Sequence, residues 1–198
     1  IKKALVGCKT LYHTAAYYSL WTRDKNLIYD INVQGTRNIL ESALEAGIEK
    51  VVYTSTVGCI GLSESGSPAN EDQPMNPVFL CNDYKLSKYQ AEQVALELFG
   101  RGLPVVIVNP STPVGPRDIK PTPTGQIILD FMNHKMPAYI DTGLNLIDVV
   151  DCARGHILAE AKGQPGERYI LGNKNMSLNE ILLNLEEFTG IKAPRIKM

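Results

Sequence analysis

Residues 32–58, NVQGTRNILESALEAGIEKVVYTSTVG, contain the two patterns that decide the fold. The first part carries apolar residues at helical spacing and continues a run that begins at residue 26. Gly47 followed by Ile48 is typical of a helix end with its hydrophobic contact. The second part, KVVYTS (50–55), is a β-branched run of the kind found in a buried strand. The stretch therefore predicts a helix that leads directly into a buried strand.

The same alternation continues along the rest of the chain. Strands are predicted at 9–15, 50–55, 104–110, 145–150 and 167–172, and helices at 26–47, 84–99, about 125–134 and up to about 162. Ser177 and Glu180 form a capping box that opens a last helix, and Gly190 closes it. Segment 58–83 is predicted to be a long loop, and 111–124, with four prolines, no regular structure. Buried strands that alternate with helices predict an α/β fold with a parallel sheet.

Composition excludes several classes of function. With 198 residues, the chain fits one domain or one domain with part of a second. Lys+Arg 20 against Asp+Glu 21 gives a net charge of −1, so charge does not favour a nucleic-acid or membrane-surface partner. No apolar run reaches the roughly 18 residues of a membrane span, and the N-terminus lacks signal-peptide architecture. The four cysteines have no C-x-x-C spacing, which predicts reduced, mostly buried thiols in a cytoplasmic protein and no metal site.

Small and hydroxyl residues follow three successive predicted strands. They are TAAYYS (14–19), TSTVG (54–58) and NPSTP (109–113). Ligands of parallel sheets bind outside the carboxyl ends of the strands. Ala15, Ala16 and Gly58 would let a flat ligand approach the backbone closely. The alternative is that these are ordinary turn residues.

A further candidate pair lies in NDYKLSKYQAEQ (82–93), at the start of a predicted helix. Tyr84 and Lys88 are four residues apart, so the phenol and the ammonium lie on the same helical face. The two residues are either a catalytic acid with its electrostatic partner, or an aromatic residue and a surface charge that have no catalytic role. Spacing alone leaves both interpretations open.

Five stretches together resemble one known family. They are YHTAA (12–16), residues 32–58, YKLSK (84–88), NPSTPVGPRD (109–118) and ERYILG (167–172). The chain resembles the extended short-chain dehydrogenases/reductases over nearly its whole length, and most of all the hopanoid-associated sugar epimerases and dihydroflavonol-reductase-like proteins. The Y-x-x-x-K motif is weak alone, but here Tyr84 lies 28 residues after Thr56 and before N-P-S-T-P-V-G-P, which is specific. The resemblance implies a Rossmann-like parallel sheet with helices on both faces and NAD or NADP as cofactor.

One part of the family pattern is not found. No G-x-G-x-x-G or G-x-x-G-x-x-G occurs in this sequence, and two βα units of about 30 residues each would precede it. We therefore expect a longer polypeptide whose N-terminal βα units and last residues lie outside this chain. The expected dinucleotide-binding domain is 1–115 with 145–175, and part of a small substrate domain is 116–144 with 176–198. The choice between NAD and NADP stays open.

The resemblance implies a catalytic triad of Thr56, Tyr84 and Lys88. Thr56 is chosen over Thr54 and Ser55 because it lies five residues before Gly61, as the family's catalytic hydroxyl does. Tyr84 would remove the substrate's hydroxyl proton while hydride passes to the cofactor. Thr56 would hold the substrate oxygen. Lys88 would bind the nicotinamide ribose and, with the oxidised nicotinamide, favour the phenolate.

The other site residues follow from the same resemblance. The cofactor-binding set is His13, Ala15, Ala16, Thr54, Ser55, Tyr84, Lys88, Pro110, Ser111 and Thr112, and the substrate-binding set is Thr56, Tyr84 and Arg117. His13 could instead be a satisfied core histidine, and Arg117 could pair with Asp118. Asn32 is expected to support the site structurally, and Gly35 to pack closely against a neighbour. Asp148 and Asp151 are expected to be an N-cap and its N3 partner.

Departures from the family pattern narrow the expected reaction. Val57-Gly58 replaces the Asp-Glu pair that sugar 4,6-dehydratases need, and Ile60 stands where standard UDP-galactose epimerases carry a tyrosine. We therefore expect an NAD(P)-dependent epimerase or oxidoreductase acting on a secondary alcohol or ketone, of a sugar or nucleotide-sugar. The alternatives are a dihydroflavonol-type NADPH ketone reductase and a non-catalytic dinucleotide-sensing regulator. A homodimer built from helices 26–46 and 84–99 is also expected.

Overall fold

The computed structural model describes residues 1–19, 23–63 and 67–198, which form two compact units. The first comprises Ile1–Pro110 and Arg154–Leu171, and the second Ser111–Ala153 and Gly172–Met198. Each unit has its own sheet. The chain passes from one unit to the other after Pro110, Ala153 and Leu171, whereas the boundaries predicted from sequence lie after residues 115, 144 and 175. The roles assigned to the two parts remain predictions.

The first unit is built on a parallel sheet in the order β1-β2-β3-β6. Its strands are β1 (Thr10–His13), β2 (Lys50–Thr54), β3 (Val105–Pro110) and β6 (Arg168–Leu171), and its helices are α1 (Lys2–Leu5), α2 (Lys25–Tyr29), α3 (Gly35–Glu45), α4 (Asp83–Gly100) and the end of α6 (Val149–Lys162). All four strands of this sheet were predicted, and the parallel α/β architecture is confirmed.

Helices cover both faces of this sheet because side chains alternate along each strand. Val51, Tyr53 and Ile107 lie in one apolar cluster with residues of α3 and α4. Val52, Val106 and Val108 lie in a second cluster with Ala159 of α6. The strands are therefore buried on both sides, which explains why they read as continuous apolar runs.

The helix predicted over 26–47 is interrupted by a π-helical turn, Asp30–Gln34, between α2 and α3. A π turn is wider than an α turn, and the buried residues follow a spacing of four: Ile28, Asn32, Thr36 and Leu40. The prediction that Gly35 packs closely against a neighbour was wrong. A Cβ added at Gly35 would meet only the Asp30 carbonyl, at an ordinary 3.6 Å. The π turn brings Thr36 rather than Gly35 to the core.

Two helix ends lie where the sequence predicted them. Gly47 has a left-handed φ of 68°, and the Ile48 amide donates to the Ala43 carbonyl. The predicted capping box of Ser177 and Glu180 opens α7 (Leu178–Thr189), and Gly190, with φ 74°, follows it.

The proline-rich segment 111–124 contains regular structure, contrary to prediction. β4 (Thr112–Val114) lies at the edge of the second sheet, where Pro113 can be accommodated without its N–H. Pro123 occupies the first turn of α5 (Pro123–Met132), where a missing N–H costs little. The predicted loop 58–83 likewise contains the end of a 3₁₀ turn, Val57–Cys59, and a second turn, Pro77–Phe79.

In the second unit, β5 (Gly143–Asp148) pairs in parallel with β4 and antiparallel with β7 (Lys174–Ser177). Strand β7 was not predicted. As expected, Asp148 caps α6, because its carboxylate accepts from the Val150 amide at 2.7 Å and the Asp151 amide at 3.4 Å. A small core, Phe131, Leu178, Leu182 and Ala193, lies between α5 and α7.

No helix within the described ranges is long and apolar enough to cross a membrane. Over the same residues, no group of three or more His, Cys, Asp or Glu side chains could hold a metal ion. None of the four cysteines, all of which lie in the described ranges, forms a disulfide; Cys59 and Cys152 are buried, whereas Cys8 and Cys81 are exposed. The expectation of mostly buried thiols therefore applies to only half of them.

Gly61→Ala should destabilise the protein. The Gly61 amide donates to the Gln73 carbonyl, and an added Cβ would overlap the Pro74 carbonyl. Because backbone must move to accept it, we expect the free energy of unfolding to fall by about 1–3 kcal/mol in urea titrations. Gly100→Ala is the matched control, because nothing lies within 4 Å of its Cβ position. Equal stability of the two variants would contradict the close contact at Gly61.

Candidate active site

The start of α4 places Tyr84 and Lys88 on successive turns. The Asn82 side chain caps this helix by accepting from the Lys85 amide at 2.8 Å. This cap fixes the first turn, so Tyr84 lies in it and Lys88 one turn further on. The predicted helix start is therefore confirmed.

Lys88 is buried, with 4% of its surface exposed. Its Nζ donates to the Thr54 carbonyl at 2.7 Å and to the Tyr53 hydroxyl at 3.3 Å, and lies 4.9 Å from the Tyr53 ring centroid. Burial lowers the pKa of this ammonium to about 8. An ammonium has three N–H donors, and the third has no partner among the described residues. It is available to a ligand.

Tyr84 is half-buried, and its hydroxyl makes no hydrogen bond within the described part of the chain. Its ring packs edge-on against Tyr18, with the centroids 4.6 Å apart. Burial raises the pKa of Tyr84 to about 12. The expectation that Lys88 helps to favour the phenolate is therefore not met in this chain alone. Lys88 directs its donors to Tyr53 and Thr54, and burial of the phenol has the larger effect.

Thr56 follows β2 and opens the 3₁₀ turn Val57–Cys59. Its Oγ1 accepts from the Gly58 amide at 3.2 Å, which leaves its own hydroxyl hydrogen free to donate to a ligand oxygen. A Cβ at Gly58 would lie 3.7 Å from the Lys85 side chain. The turn that carries Thr56 and the first turn of α4 are therefore neighbours.

Asn32 connects the loop after β1 to α4. Its Oδ1 accepts from the Tyr17 amide at 2.7 Å, and its Nδ2 donates to the Tyr17 carbonyl and the Ser87 hydroxyl at 3.1 and 2.9 Å. The Ser87 hydroxyl in turn donates to the Tyr84 carbonyl at 2.8 Å. We retain the supporting role predicted for Asn32, because these contacts hold the backbone on either side of the candidate site.

Other predicted cofactor residues of the first unit surround the ends of the strands. His13 is buried and shares a 2.9 Å hydrogen bond with Thr36, as a satisfied core histidine would. Burial, followed by the charge of Lys88, lowers the pKa of His13 to about 4, so the ring is neutral. Thr54 Oγ1 bonds the His156 ring at 2.9 Å. Ser55 is buried, and its hydroxyl lacks a partner among the described residues.

Ala15 and Ala16 lie exposed in the loop after β1, and Pro110 is buried at the end of β3. Their contact with a cofactor remains a prediction.

The remaining predicted residues, Ser111, Thr112 and Arg117, belong to the second unit. The Ser111 hydroxyl is buried and unpartnered within the described ranges. Arg117 has a left-handed φ of 72° and lines a cavity of about 380 Å³. Asp118 accepts from the Thr122 amide and hydroxyl, and no Arg117–Asp118 pair occurs among the described contacts. A substrate contact by Arg117 stays a prediction.

Sequence reasoning missed several residues at this site. Tyr18 packs on Tyr84, and Asn109 donates to the Thr56 carbonyl at 2.9 Å. Asn109 also donates to Glu92, four residues after Lys88, at 3.0 Å. One signal was present: a polar Asn109 inside the apolar run VVIVNP indicates a buried side chain that needs partners.

The chain matches a known family over most of its length. The model of the NAD dependent epimerase/dehydratase family matches residues 1–172, and the chain belongs to that family. The resemblance stated from sequence is confirmed, as is NAD(P) as the cofactor of the class.

Individual relatives are also similar to this chain in sequence and structure. The chain is 52% identical over 199 residues to a putative dihydroflavonol 4-reductase of Synechocystis sp., covering 98% of this chain and 58% of that protein. It is 37% identical over 196 residues to sterol demethylase protein B of Methylococcus capsulatus, covering 99% and 60%. The crystal structure of gox2253 superposes with a TM-score of 0.95 at 50% identity, covering 100% of this chain and 60% of that one. The Rossmann-like fold is thus confirmed, and the chain spans about 60% of these proteins' lengths.

The lowered pKa of Lys88 should appear in the pH dependence of stability. Its folded-state pKa is about 8 against 10.5 for the free side chain, so between these values the unfolded chain binds more protons. Stability should therefore rise with pH across this window, by on the order of 3 kcal/mol from Lys88. Lys88→Met should lack this part of the rise in urea titrations between about pH 7 and pH 10. Parallel curves for the two proteins would contradict the lowered pKa.

Proposed function

We propose that this protein is an NAD(P)-dependent epimerase or oxidoreductase that acts on a secondary alcohol or ketone, with Tyr84 as the proton-transferring group. One observation carries the proposal. The Tyr84 hydroxyl has no partner among the described residues, and residue 84 precedes the buried Lys88 by one helical turn of α4. A surface lysine would not be buried in this way, and an unpartnered phenol hydroxyl can donate a hydrogen bond to a ligand.

The donors and acceptors around the strand ends fit a dinucleotide. Lys88 has an unused N–H that can bind a ribose hydroxyl, and the buried Ser55 hydroxyl is unpartnered within the described ranges. An unpartnered buried polar group is costly unless a ligand or water satisfies it. When bound, the nicotinamide would supply or accept the hydride.

The protein's own residues would manage the proton and the substrate oxygen. With its pKa at about 12, Tyr84 is protonated at neutral pH and can donate a proton to a carbonyl oxygen during reduction. The Thr56 hydroxyl would donate a hydrogen bond to the same oxygen. In the oxidative direction Tyr84 would take up the proton instead, which requires a lower pKa than this chain alone provides.

The substrate is proposed to be a sugar or nucleotide-sugar derivative, as expected from sequence. A ketone reductase of the dihydroflavonol type is the second candidate, favoured by the relative with that name at 52% identity. Both candidates use the same proton transfer at Tyr84. A dinucleotide-sensing regulator would have no use for a proton donor at that position.

A homodimer and a cytoplasmic location are also part of the proposal. The apolar stripes expected to form the dimer are largely used within the chain, because Leu40, Val94 and Leu98 are in its core. Leu27, Ile31 and Phe99 remain exposed by 40–41% and would form the contact. Exposed free thiols such as Cys8 and Cys81 suit a reducing compartment.

The oligomeric state can be measured directly. We expect the full-length protein to sediment as a dimer at micromolar concentration, and Ile31→Asp to shift it towards monomer because a buried charge would oppose association. Val78→Asp is the control, because Val78 is exposed and lies outside these helices. A monomer at micromolar concentration would contradict the proposed dimer.

Tyr84→Phe should remove most of the turnover of the full-length protein and leave cofactor affinity nearly unchanged. Phenylalanine keeps the ring and its packing on Tyr18, so only the proton donor is lost. General acid–base catalysis contributes about 10²–10⁴-fold, and we expect kcat to fall by that range. The measurement is nicotinamide absorbance over a panel of nucleotide-sugars and ketones, with cofactor Kd from fluorescence titration.

Tyr89→Phe, on the same helix, is the matched control and should keep wild-type kcat. Lys88→Met should weaken cofactor binding as well as turnover, because Lys88 is assigned a ribose contact. Near-wild-type kcat in Tyr84→Phe would show that the phenol is a packing residue and would refute the mechanism.

A further inference from the structure

A chain of buried polar side chains leads from α4 to the carbonyl of Thr56. The Asn109 Nδ2 donates to the Thr56 carbonyl at 2.9 Å and to Glu92 Oε2 at 3.0 Å. The other oxygen of Glu92, Oε1, lies 3.4 Å from the Arg168 guanidinium. All these residues belong to the first unit. The function proposed above makes no use of Glu92, Asn109 or Arg168.

Stability alone does not account for this arrangement. Glu92 is fully buried, with 0% of its surface exposed, and so is Asn109. Desolvating a carboxylate costs several kcal/mol, and apolar replacements of buried ion pairs are often neutral or stabilising. A buried charge in contact with an asparagine at the end of an apolar strand suggests a positional role.

The contacts determine how the Asn109 amide is oriented. Its Nδ2 group faces two acceptors, the Thr56 carbonyl and Glu92, and a flipped amide would turn its oxygen towards both. Glu92 is held in turn by Arg168, which also donates to the Glu71 carbonyl. The Glu71 carboxylate accepts from the Ile170 amide, and Ile170 is the register partner of Asn109. The relay is thus anchored on the neighbouring strand.

The other end of the relay is the turn that carries the Thr56 hydroxyl. The Thr56 carbonyl accepts from Asn109 and from the Cys59 amide at 3.0 Å, and its Oγ1 accepts from the Gly58 amide. The backbone of Thr56 is therefore held from two directions, and its side chain from one.

We propose that Glu92, Asn109 and Arg168 form a buried relay that holds the Thr56 carbonyl and thereby positions the Thr56 hydroxyl for the substrate oxygen. Within the relay, Glu92 acts as the acceptor that orients Asn109, and Arg168 neutralises the charge that this acceptor carries. The three are positioning residues and touch no substrate. The inference rests on the proposed function, in which Thr56 binds the reacting oxygen.

Two double variants separate positioning from ion pairing. Glu92→Gln with Arg168→Met and Glu92→Leu with Arg168→Met both remove the ion pair, and both avoid leaving an unpaired buried charge. Only glutamine keeps an oxygen that can accept from Asn109. A role limited to the ion pair would make the two proteins behave alike.

The first readout needs no substrate. Hydrogen–deuterium exchange followed by mass spectrometry on a peptide covering 55–61 reports the amides of Gly58 and Cys59, which bond Thr56. We expect roughly tenfold faster exchange in the leucine variant than in the glutamine variant. In the leucine variant Asn109 has lost the acceptor that orients it, so its hydrogen bond to the Thr56 carbonyl no longer opposes local opening. Asn109→Ala removes the donor itself and should reproduce the faster exchange. If the leucine variant does not fold, Asn109→Ala tests in its place whether the hydrogen bond from Asn109 holds the Thr56 turn.

The second readout is turnover on whichever panel substrate the wild-type protein accepts. Small displacements of a positioned group can cost as much as about 10²-fold in rate. We expect kcat at least about tenfold lower in the leucine variant than in the glutamine variant, with equal cofactor Kd. Equal exchange and equal kcat in the two doubles would overturn the relay. If the two doubles are equal while Tyr84→Phe loses kcat, the relay is refuted and the proposed function stands. If Tyr84→Phe retains kcat, the proposed function itself is refuted.

Discussion

The buried ammonium of Lys88 is the constraint on which the candidate site depends. A charge removed from water must find hydrogen-bond acceptors, and Lys88 finds the Thr54 carbonyl at the end of β2 and the Tyr53 hydroxyl. This contact fixes the start of α4 over the carboxyl end of the sheet. Tyr84, one turn earlier on the same helix, is brought to that edge as a consequence. Asn32 and Ser87 add further hydrogen bonds to the same helical turn.

Burial shifts the pKa values of the two groups of this pair in opposite directions. It lowers the pKa of Lys88 to about 8 and raises that of Tyr84 to about 12, because a poorly solvated site disfavours either charge. At neutral pH the lysine remains mostly charged and the phenol neutral. Under our proposal, the resting site can therefore donate a proton from Tyr84. Taking one up would require additional positive charge near Tyr84, which is the electrostatic role proposed for an oxidised cofactor.

The relay through Asn109 complements this arrangement from the neighbouring strand. Lys88 and Glu92 lie four residues apart on α4, so one helix carries both the ammonium at the strand end and the carboxylate that orients Asn109. Under our proposals, α4 supplies Tyr84 and Lys88 directly and positions Thr56 indirectly. A single helix would then organise all three members of the triad, and its N-cap, Asn82, fixes where that helix starts.

The sequence by itself determined the parallel sheet, the succession of its four strands along the chain, and the family. Uninterrupted apolar runs require burial on both faces, and glycines and capping boxes mark helix ends through local backbone geometry, as at Gly47 and Ser177. Only the tertiary structure decided the partners of polar side chains that bond to other strands and helices. The π turn that brings Thr36 to the core, the edge strand at Pro113 and the relay through Asn109 all depend on neighbours distant in sequence. Local periodicity carries no information about those contacts, because they form only when separate strands and helices pack together.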